Sequence, residues 1–407
     1  MQKCAKHINA KELKGITEMR PKIGLITGLW CNEEIYSLFE SASKLISILE
    51  PSSAEITWVV TNCSCNERAL PQKVKLIRLD IKKEVNKEPF LIRIFYHLLH
   101  QLKIISKIRK LKDVDMFIFA FGGHVLLLPF LFATLFLKKK TILRIEGRNS
   151  VILKEKSIEA KHRIVLIIIF ALIERLMYFL ASRIVLEFER MIELYNLQKY
   201  QHKIVIGGLY VDTSLFKKTK SIVERAYDVG YIGRFSKGKG ILEFIHALPF
   251  ILKNNAVRRV ILIGEGDLKR TIRETLNNNN IQNKVELIGW VKNKEKIPLY
   301  LNNIKLILIP SYREGLPNIM LEAMACGTPV LATPVGGVPD VITDGETGFI
   351  MENNSPECIA RNVIRALNHP NLEQIAQNAR ALVEKEFTFE KAVERYSGIL
   401  GIRKSEV

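Results

Sequence analysis

The sequence has few cysteines, and their spacing fits no metal-ligand pattern. Six cysteines are scattered through 407 residues, and the pair Cys63 and Cys65 has no second pair that would complete a zinc site. This argues against a zinc module and against a disulfide-stapled secreted domain. It favours reduced thiols in a cytosolic protein. The other cysteines are Cys4, Cys31, Cys326 and Cys358.

Long apolar runs are also missing. The first fifteen residues contain no apolar core of a secretory signal, so we expect a cytoplasmic protein. Of the two apolar stretches, Val125–Leu137 is short and Ile164–Leu186 is interrupted by charges. Because a membrane span needs about 20 mostly apolar residues, neither stretch qualifies. We predict both to be buried helices.

Acidic residues are too few to balance the basic ones. The chain has 61 Lys and Arg against 42 Asp and Glu, a net charge of +19, and residues 1–200 carry +13 of it. This excess predicts an anionic partner, which is a phosphorylated substrate, a nucleic acid or an acidic membrane surface. The charge alone does not choose among the three.

Short apolar runs typical of strands alternate with segments of helical periodicity along the whole chain. The sequence shows no internal repeat of the length found in solenoids or propellers. The alternation predicts an α/β fold with two doubly wound, Rossmann-like parallel sheets, joined near Gly207–Phe216. Ligands then bind at the carboxyl ends of the strands. The predicted strands are Ile23–Thr27, Ile56–Val60, Lys75–Leu79, Met116–Ala120, Thr141–Ile145, Tyr227–Ile232, Val260–Ile263, Val285–Ile288 and Leu306–Ile309. The predicted helices are Ile35–Leu49, Phe90–Leu111, Gly240–Asn254, Leu268–Asn277, Asn318–Cys326, Ser355–Leu367 and Leu372–Glu386.

The most informative segment is Pro310–Gly337, which follows a predicted strand and opens a predicted helix. Pro317 suits the first helical position, because its missing N–H would be unpaired there in any case. The N–H groups of Asn318 and Ile319 would then point out of the helix start. Together with the helix dipole they predict an anion site suited to a diphosphate.

Two carboxylates flank this predicted helix start. Glu314 lies in the loop before it, and Glu322 lies roughly 6 Å inside the helix at a rise of about 1.5 Å per residue. Ionised carboxylates only accept hydrogen bonds, which suits the paired hydroxyls of a ribose or a hexose. Either acid taken alone is equally typical of an ordinary solvated or capping residue.

A second loop supplies cations. The segment Val229–Gly240 runs from a strand through a glycine-bearing loop into a helix. Arg234 would form paired hydrogen bonds to the phosphate oxygens of a diphosphate, and Lys239 would add a point charge that stabilises it as a leaving group. We interpret Lys237 as part of a basic surface turn. A third turn, Gly-Glu-Gly at 264–266, is on its own only weak evidence for a phosphate-binding loop.

Further motifs follow in a fixed order along the second half of the chain. They are Gly233-Arg234 with Lys239-Gly240, Gly264-Glu265-Gly266, Gly289-Trp290, Pro310-Ser311, Glu314 with Glu322-Ala323-Met324-Ala325, Gly327, Pro329, Gly336-Gly337, Gly345 and Gly348. With this order, residues 227–350 resemble the C-terminal domain of the group 1 glycosyltransferases, the retaining GT-B enzymes of carbohydrate family four. Asp212 and Phe216 extend the resemblance into the connector, and Phe387–Leu400 resembles the family's closing helix.

The resemblance implies a GT-B architecture of two Rossmann-like domains that face each other across a cleft. It implies an N-terminal acceptor-binding domain over 1–209 and a C-terminal donor-binding domain over 210–385. Residues 386–407 would form a helix that crosses back to the N-terminal domain.

The resemblance also implies roles for single residues. Glu322 would bind the donor ribose and Glu314 the transferred sugar, while Arg234 and Lys239 would hold the diphosphate. No cofactor and no metal are implied beyond the nucleotide-sugar donor, and Asp113-Val114-Asp115 is interpreted as an ordinary loop. Further donor-binding positions are Gly233, Gly264, Gly266, Gly315, Leu316, Pro317, Asn318 and Ile319.

The N-terminal half departs from the family pattern at two positions. The family's first loop carries paired glycines near the diphosphate, and here the chain offers Gly28 alone. The family's His-Gly after the fifth strand is Glu146-Gly147 here. Either Glu146 or Arg148 takes the place of that histidine near the donor sugar, or the donor differs.

The implied activity is transfer of a sugar, with retention, from a UDP- or GDP-linked donor to a glycan or a lipid-linked acceptor. Residues 90–112 mix apolar and basic side chains. They fit a helix on an anionic membrane, and somewhat better a core-packed helix with a basic outer face.

Four alternatives to a transferase stay open at this point. A nucleotide-sugar epimerase would share the fold, and a basic nucleic-acid-binding protein would explain the charge but not the two acids. A pyridoxal-dependent phosphorylase would need a cofactor lysine for which the sequence has no signature. A catalytically dead partner subunit would fit the N-terminal departures.

Overall fold

The computed structural model describes residues 20–28, 35–61, 70–79, 90–120, 126–146, 160–253 and 257–402. The chain divides into two units, each built on one parallel sheet. Unit 1 comprises Met1–Leu186, Ile192–Gly207 and Val393–Val407, and unit 2 comprises Glu187–Met191 and Gly208–Ala392.

Unit 1 contains a sheet of seven parallel strands in the order β3-β2-β1-β4-β5-β6-β7. Its central strands are buried over nearly their whole length, as expected where helices cover both faces. The strands are β1 Lys22–Thr27, β2 Glu55–Thr61, β3 Val74–Leu79, β4 Met116–Ala120, β5 Lys140–Ile145, β6 Arg183–Leu186 and β7 Ile204–Ile206. The helices are α1 Ile35–Leu49, α2 Phe90–Ile108, α3 Leu127–Leu131, α4 Ala160–Leu180 and α5 Met191–Leu194, and a π turn, Phe132–Phe136, continues α3.

The prediction of buried helices at the two apolar stretches is confirmed only in part, because Phe130 and Met177 are fully buried while other apolar side chains are exposed. Ile164 and Leu172 on α4 are both 60% exposed, and Phe136 in the π turn is 75% exposed. The second stretch also does not stay helical, because α4 ends at Leu180 and β6 follows. No helix among the described residues is long and apolar enough to span a bilayer.

The last described residues complete unit 1 through polar contacts in its interior. The hydroxyls of Ser397 and Ser52 lie 2.6 Å apart. Arg144, which is buried in β5, donates from Nε to the hydroxyl of Tyr396 at 3.1 Å. Residues 393–402 therefore belong to unit 1, although they follow all of unit 2 in sequence.

A buried histidine on α2 connects this helix to strand β2. His100 Nε2 lies 2.8 Å from the hydroxyl of Thr61 on β2. Burial lowers the pKa of His100 to about 4, with smaller effects from the charges of His97 and Lys103. The folded chain therefore holds this imidazole neutral at any pH near neutrality.

This pKa predicts a loss of stability in acid. Because the folded pKa lies below the unfolded one, the unfolded chain takes up the proton first as the pH falls from 6.5 towards 4. We expect this group alone to reduce the free energy of unfolding by about 2 kcal/mol between pH 7 and pH 5. Urea unfolding of the parent and of His100→Gln at both pH values measures it, since glutamine does not titrate. The same pH-dependent loss in both proteins would contradict the prediction.

Unit 2 contains a sheet of six parallel strands in the order β10-β9-β8-β11-β12-β13. The strands are β8 Tyr227–Ile232, β9 Val260–Ile263, β10 Val285–Ile288, β11 Ile304–Ile309, β12 Val330–Ala332 and β13 Phe349–Ile350. The helices are α6 Ile241–Ile251, α7 Lys269–Asn278, α8 Ile297–Leu301, α9 Asn318–Ala325, α10 Pro356–Leu367 and α11 Leu372–Glu386, and α12 Phe389–Leu400 begins in unit 2 and belongs to unit 1 from Val393 on. Helices α6 and α10 pack on each other, and their apolar sides share one core with the sheet.

Arg225 ties the start of this sheet to the end of α9. Its buried guanidinium donates to the carbonyl oxygens of Ile304, Cys326 and Gly327 and to the hydroxyl of Thr328, at 2.7–3.1 Å. Burial lowers the pKa of Arg225 to about 10, so it stays charged near neutral pH. A cation at the carboxyl end of α9 also complements the helix dipole. Arg225 thus fixes the carboxyl-terminal end of α9 to the sheet.

Candidate active site

Three loops of unit 2 emerge at one edge of its sheet. Strands β9, β8 and β11 are neighbours and run parallel, so their carboxyl ends lie side by side. The loops that follow them are 264–266, 233–240 and 310–317. The backbone joins two of these loops directly, because Tyr312 N donates to Gly238 O at 3.1 Å. The residues predicted from three separate motifs therefore meet at one edge.

Lys239 and Glu314 form an ion pair between two of these loops. Lys239 Nζ lies 2.7 Å from Oε1 and 2.8 Å from Oε2 of Glu314, and Ser311 Oγ donates to Oε1 at 2.6 Å. The Glu314 side chain is 9% exposed, whereas that of Lys239 is 36% exposed. A buried carboxylate is thus held in place by a cation that keeps access to solvent.

Helix α9 begins immediately after this loop. Pro317 is the N-cap residue with extended backbone, so its prediction as the first helical residue is wrong by one position. The first intrahelical hydrogen bonds run from the N–H groups of Met320 and Leu321 to Pro317 O. Asn318 and Ile319 therefore form the first turn, where the helix dipole favours an anion.

Glu322 lies on the same helix and is buried. Its Oε1 lies 3.5 Å from Nζ of Lys294, which follows β10 in sequence. Sequence reasoning did not single out Lys294, because it lies in a lysine-rich turn that resembles ordinary surface. The pair places a second buried carboxylate and a second accessible cation beside α9.

Glycines allow the backbone of these loops to pack closely. A Cβ on Gly264 would lie 1.9 Å from Gly233 O, and φ of Gly264 is +156°. A Cβ on Gly336, with φ of +56°, would lie 2.1 Å from Glu314 O. Because side chains at these two positions would collide with backbone, the loops can approach only with glycine there.

The other predicted residues of unit 2 lie around this cluster. Arg234 has an exposed side chain, and its carbonyl oxygen accepts from the hydroxyl of Tyr231 at 2.8 Å. Burial and the nearby charge of Glu314 raise the pKa of Tyr231, so the hydroxyl stays protonated. Leu316 is buried beneath the loop, and Gly266 packs its backbone against Phe235 O.

The segment after β6 supplies two residues that sequence reasoning missed, Glu187 beside Gly315 and Phe188 beside Gly337. A Cβ on Gly315 would lie 3.0 Å from Oε2 of Glu187. The ring of Phe188 lies against Gly337 and is buried. Glu187 therefore adds a third carboxylate near the start of α9. The predicted apolar stretch Ile164–Leu186 concealed β6, and with it the position of Glu187 at a strand end.

Gly28 and Glu146 lie in unit 1, at the carboxyl ends of β1 and β5. Glu146 Oε1 accepts from Nη1 of Arg144 at 2.6 Å, and Arg144 in turn contacts Tyr396. A buried arginine thus orients the carboxylate of Glu146, one of the two residues considered for the place of the family's histidine. Arg148, the other residue considered for that role, lies outside the described residues.

The acidic pair before β4 has a structural partner. Asp113 Oδ2 lies 3.2 Å from Lys22 Nζ, and Asp115 Oδ2 accepts from Lys22 N at 2.8 Å. Of the cysteines, Cys326 and Cys358 are free and buried, and burial raises the pKa of Cys326 to about 12. Cys4, Cys31, Cys63 and Cys65 lie outside the described residues.

Comparison with known sequences identifies relatives for the part of the chain that carries this site. Residues 212–382 match the profile of the family described as glycosyl transferases group 1. CapM of Staphylococcus aureus, a capsular polysaccharide biosynthesis glycosyltransferase, is 33% identical over 179 residues, covering 44% of this chain and 46% of CapM. The N-acetyl-alpha-D-glucosaminyl L-malate synthase of Bacillus anthracis is 31% identical over 189 residues, covering 46% of this chain and 49% of the synthase. The match spans about half the length of each relative.

Comparison with solved structures covers nearly the whole chain. HepE from Anabaena, solved in complex with UDP, superposes with a TM-score of 0.71 at 16% identity, covering 94% of this chain and 99% of HepE. The lipopolysaccharide outer core galactosyltransferase WaaB superposes with a TM-score of 0.67 at 14% identity, covering 93% and 99%. At these identities the likeness shows the fold. The predicted fold class, two Rossmann-like sheets of the GT-B kind, is confirmed.

Proposed function

We propose that this chain, whose residues 212–382 match the group 1 glycosyltransferase family, transfers a sugar from a nucleotide-diphosphate donor to an acceptor hydroxyl. The observation that carries the proposal is the contact between Lys239 and Glu314 beside the start of α9. A diphosphate at the start of α9 would meet the helix dipole and the two cations Lys239 and Arg234.

The donor is proposed to be UDP- or GDP-linked. UDP is the first nucleotide to test, because HepE, which shares the fold, was solved with it. We propose a glycan or a lipid-linked glycan as acceptor, which the naming of CapM for capsular polysaccharide biosynthesis supports. We propose that the reaction takes place in the cytoplasm.

The proposed mechanism retains the anomeric configuration. The bond between the anomeric carbon and the phosphate oxygen breaks, and the acceptor oxygen attacks from the same face of the sugar. The acceptor proton passes to the departing phosphate oxygen, so no protein nucleophile is needed. Lys239 and Arg234 stabilise the charge that develops on the leaving diphosphate, and Glu314 positions the transferred sugar.

A donor screen tests the proposal directly. Thermal unfolding is measured with UDP-, GDP- and ADP-sugars in the presence of a metal chelator, followed by product analysis with candidate glycan acceptors. We expect one nucleotide class to raise the Tm and to support transfer with retained configuration by NMR. Epimerised sugar released without acceptor, or stabilisation by none of the donors, would contradict the proposal.

Glu322 is expected to act on the nucleotide and not on the reacting bond. Its buried carboxylate suits the two ribose hydroxyls, and hydrogen bonds to a charged group contribute about 1.5–3 kcal/mol. Glu322→Gln should therefore raise the donor KM about tenfold and leave kcat within a small factor. Steady-state kinetics with the identified donor measure both constants.

Two inhibitors separate this role from general damage to the site. Inhibition by the nucleoside diphosphate should weaken in Glu322→Gln, whereas inhibition by pyrophosphate, which lacks the ribose, should not change. Glu346→Gln, an exposed carboxylate in the same unit, serves as the control and should behave as the parent. Equal weakening of both inhibitors would rule out the ribose role.

A further inference from the structure

Three helices of unit 1 form one layer on the same face of its sheet. Helices α2, α3 and α4 lie on the connections from β3 to β4, from β4 to β5 and from β5 to β6, which all advance in one direction across the sheet. Because crossovers between parallel strands are right-handed, all three lie on the same face. Helix α3 packs against both α2 and α4, so it lies between them.

The outer side of this layer is apolar. On α2 the opposite side faces the core, where His100, Ile104 and Ile108 are buried. On α4 two of the exposed side chains, Ile168 and Leu172, are four residues apart and so share one side of the helix. Six large apolar side chains, each between 54% and 75% exposed, define what we call the apolar surface: Phe95, Leu102, Phe136, Ile168, Leu172 and Phe179.

Cations accompany the apolar surface, and accessible acids are missing from its helices. Segments 90–112, 126–140 and 160–183 contain six, three and four Lys or Arg residues. Their single acid, Glu174, is buried. Lys138 and Lys140 are exposed and follow the π turn almost directly. The layer thus combines exposed apolar side chains with a positive charge that no exposed acid of these three segments balances.

We propose that the apolar surface docks unit 1 onto a bilayer that contains anionic lipid. The six side chains enter the boundary between headgroups and acyl chains, and the flanking lysines bind the lipid phosphates. A second copy of the chain is a poor occupant, because an isologous contact would bring the same cations face to face. The positive charge and the apolar side chains each match one part of an anionic bilayer. This docking does not rest on the proposed transfer activity.

Vesicle sedimentation tests the proposal without any donor. The full chain is mixed with vesicles of phosphatidylcholine alone or of phosphatidylcholine with phosphatidylglycerol, at low and at high salt. We expect binding to the mixed vesicles that weakens with salt. The double variant Phe136→Glu with Leu172→Glu should reduce the partition coefficient at least about tenfold. Val223→Glu, which changes an apolar side chain in unit 2 that is 86% exposed, is the matched control and should bind as the parent does.

A charge variant provides an independent measurement. Lys138→Gln with Lys140→Gln should weaken binding to the mixed vesicles and reduce its salt dependence, with little change on phosphatidylcholine alone. Thermal unfolding checks that each variant keeps the parent fold. Absence of parent binding to mixed vesicles, or equal binding of parent and apolar double variant, would overturn the proposal. So would a parent dimer on size exclusion that the apolar double variant converts to monomer while vesicle binding is absent.

Discussion

Replacing Glu314 with glutamine is expected to lower kcat about 10²–10³-fold while the fold survives. The carboxylate is almost fully buried and accepts hydrogen bonds from Lys239 and Ser311. Glutamine has the same shape but carries no charge, so it can neither hold the lysine nor orient donor hydroxyls in the same way. Initial rates of transfer, or of slow donor hydrolysis where the acceptor is unidentified, measure the effect.

A matched carboxylate elsewhere in unit 2 controls for loss of charge. Glu384 pairs with Arg380 on the surface of α11, and Glu384→Gln should retain the parent kcat. The Tm of both variants should stay close to that of the parent, because exposed ion pairs contribute little and glutamine fills the volume of Glu314. Turnover of Glu314→Gln within twofold of the parent would remove Glu314 from the proposed site.

Replacing Lys239 with methionine is expected to reduce kcat/KM by about 10²–10³-fold. Methionine keeps the length of the side chain and removes the cation that would stabilise the leaving diphosphate. Lys239→Arg should recover part of the loss, because the charge remains while the geometry changes. Steady-state kinetics on the three proteins measure the series.

The same loop offers the control. Lys237 is exposed and lies two residues away, and Lys237→Met should leave kcat/KM nearly unchanged. Because Lys239 and Glu314 touch, their effects should not add. The double variant Lys239→Met with Glu314→Gln is therefore expected to lose clearly less than the product of the two single losses. Full additivity would show that the two residues act separately.

The elements that the sequence predicted well are apolar runs with clear polar borders. Strands β4, β8, β9 and β10 begin and end at the predicted residues, and so do α1 and α11. Strands β12 and β13 contain three and two residues, which is too short for a periodic signal. Strand β6 went unrecognised because it contains only four residues, and the polar residues Ser182 and Arg183 resemble an interruption within one apolar stretch.

The site was predictable only where its residues fall in motifs. Lys239 and Glu314 are 75 positions apart, and the order of the motifs placed them on neighbouring strand ends, where the structure brings them together. Glu187 and Arg225 had no such signal, because one follows a concealed strand and the other contacts backbone oxygens that no pattern reveals. The close approach of Gly336 to the backbone oxygen of Glu314 likewise shows only in the folded backbone.

The contribution of residues 393–402 to unit 1 has a consequence for the order of synthesis. Unit 2 is nearly continuous in sequence, so its sheet can form before synthesis of the chain is complete. Unit 1, in contrast, lacks the contacts of Tyr396 and Ser397 until the last residues have been synthesised. A fragment ending at Gly207 would leave the guanidinium of Arg144 in the interior without the tyrosine hydroxyl. We expect such a fragment to aggregate when expressed alone, and to be rescued by co-expression of a peptide spanning 387–402.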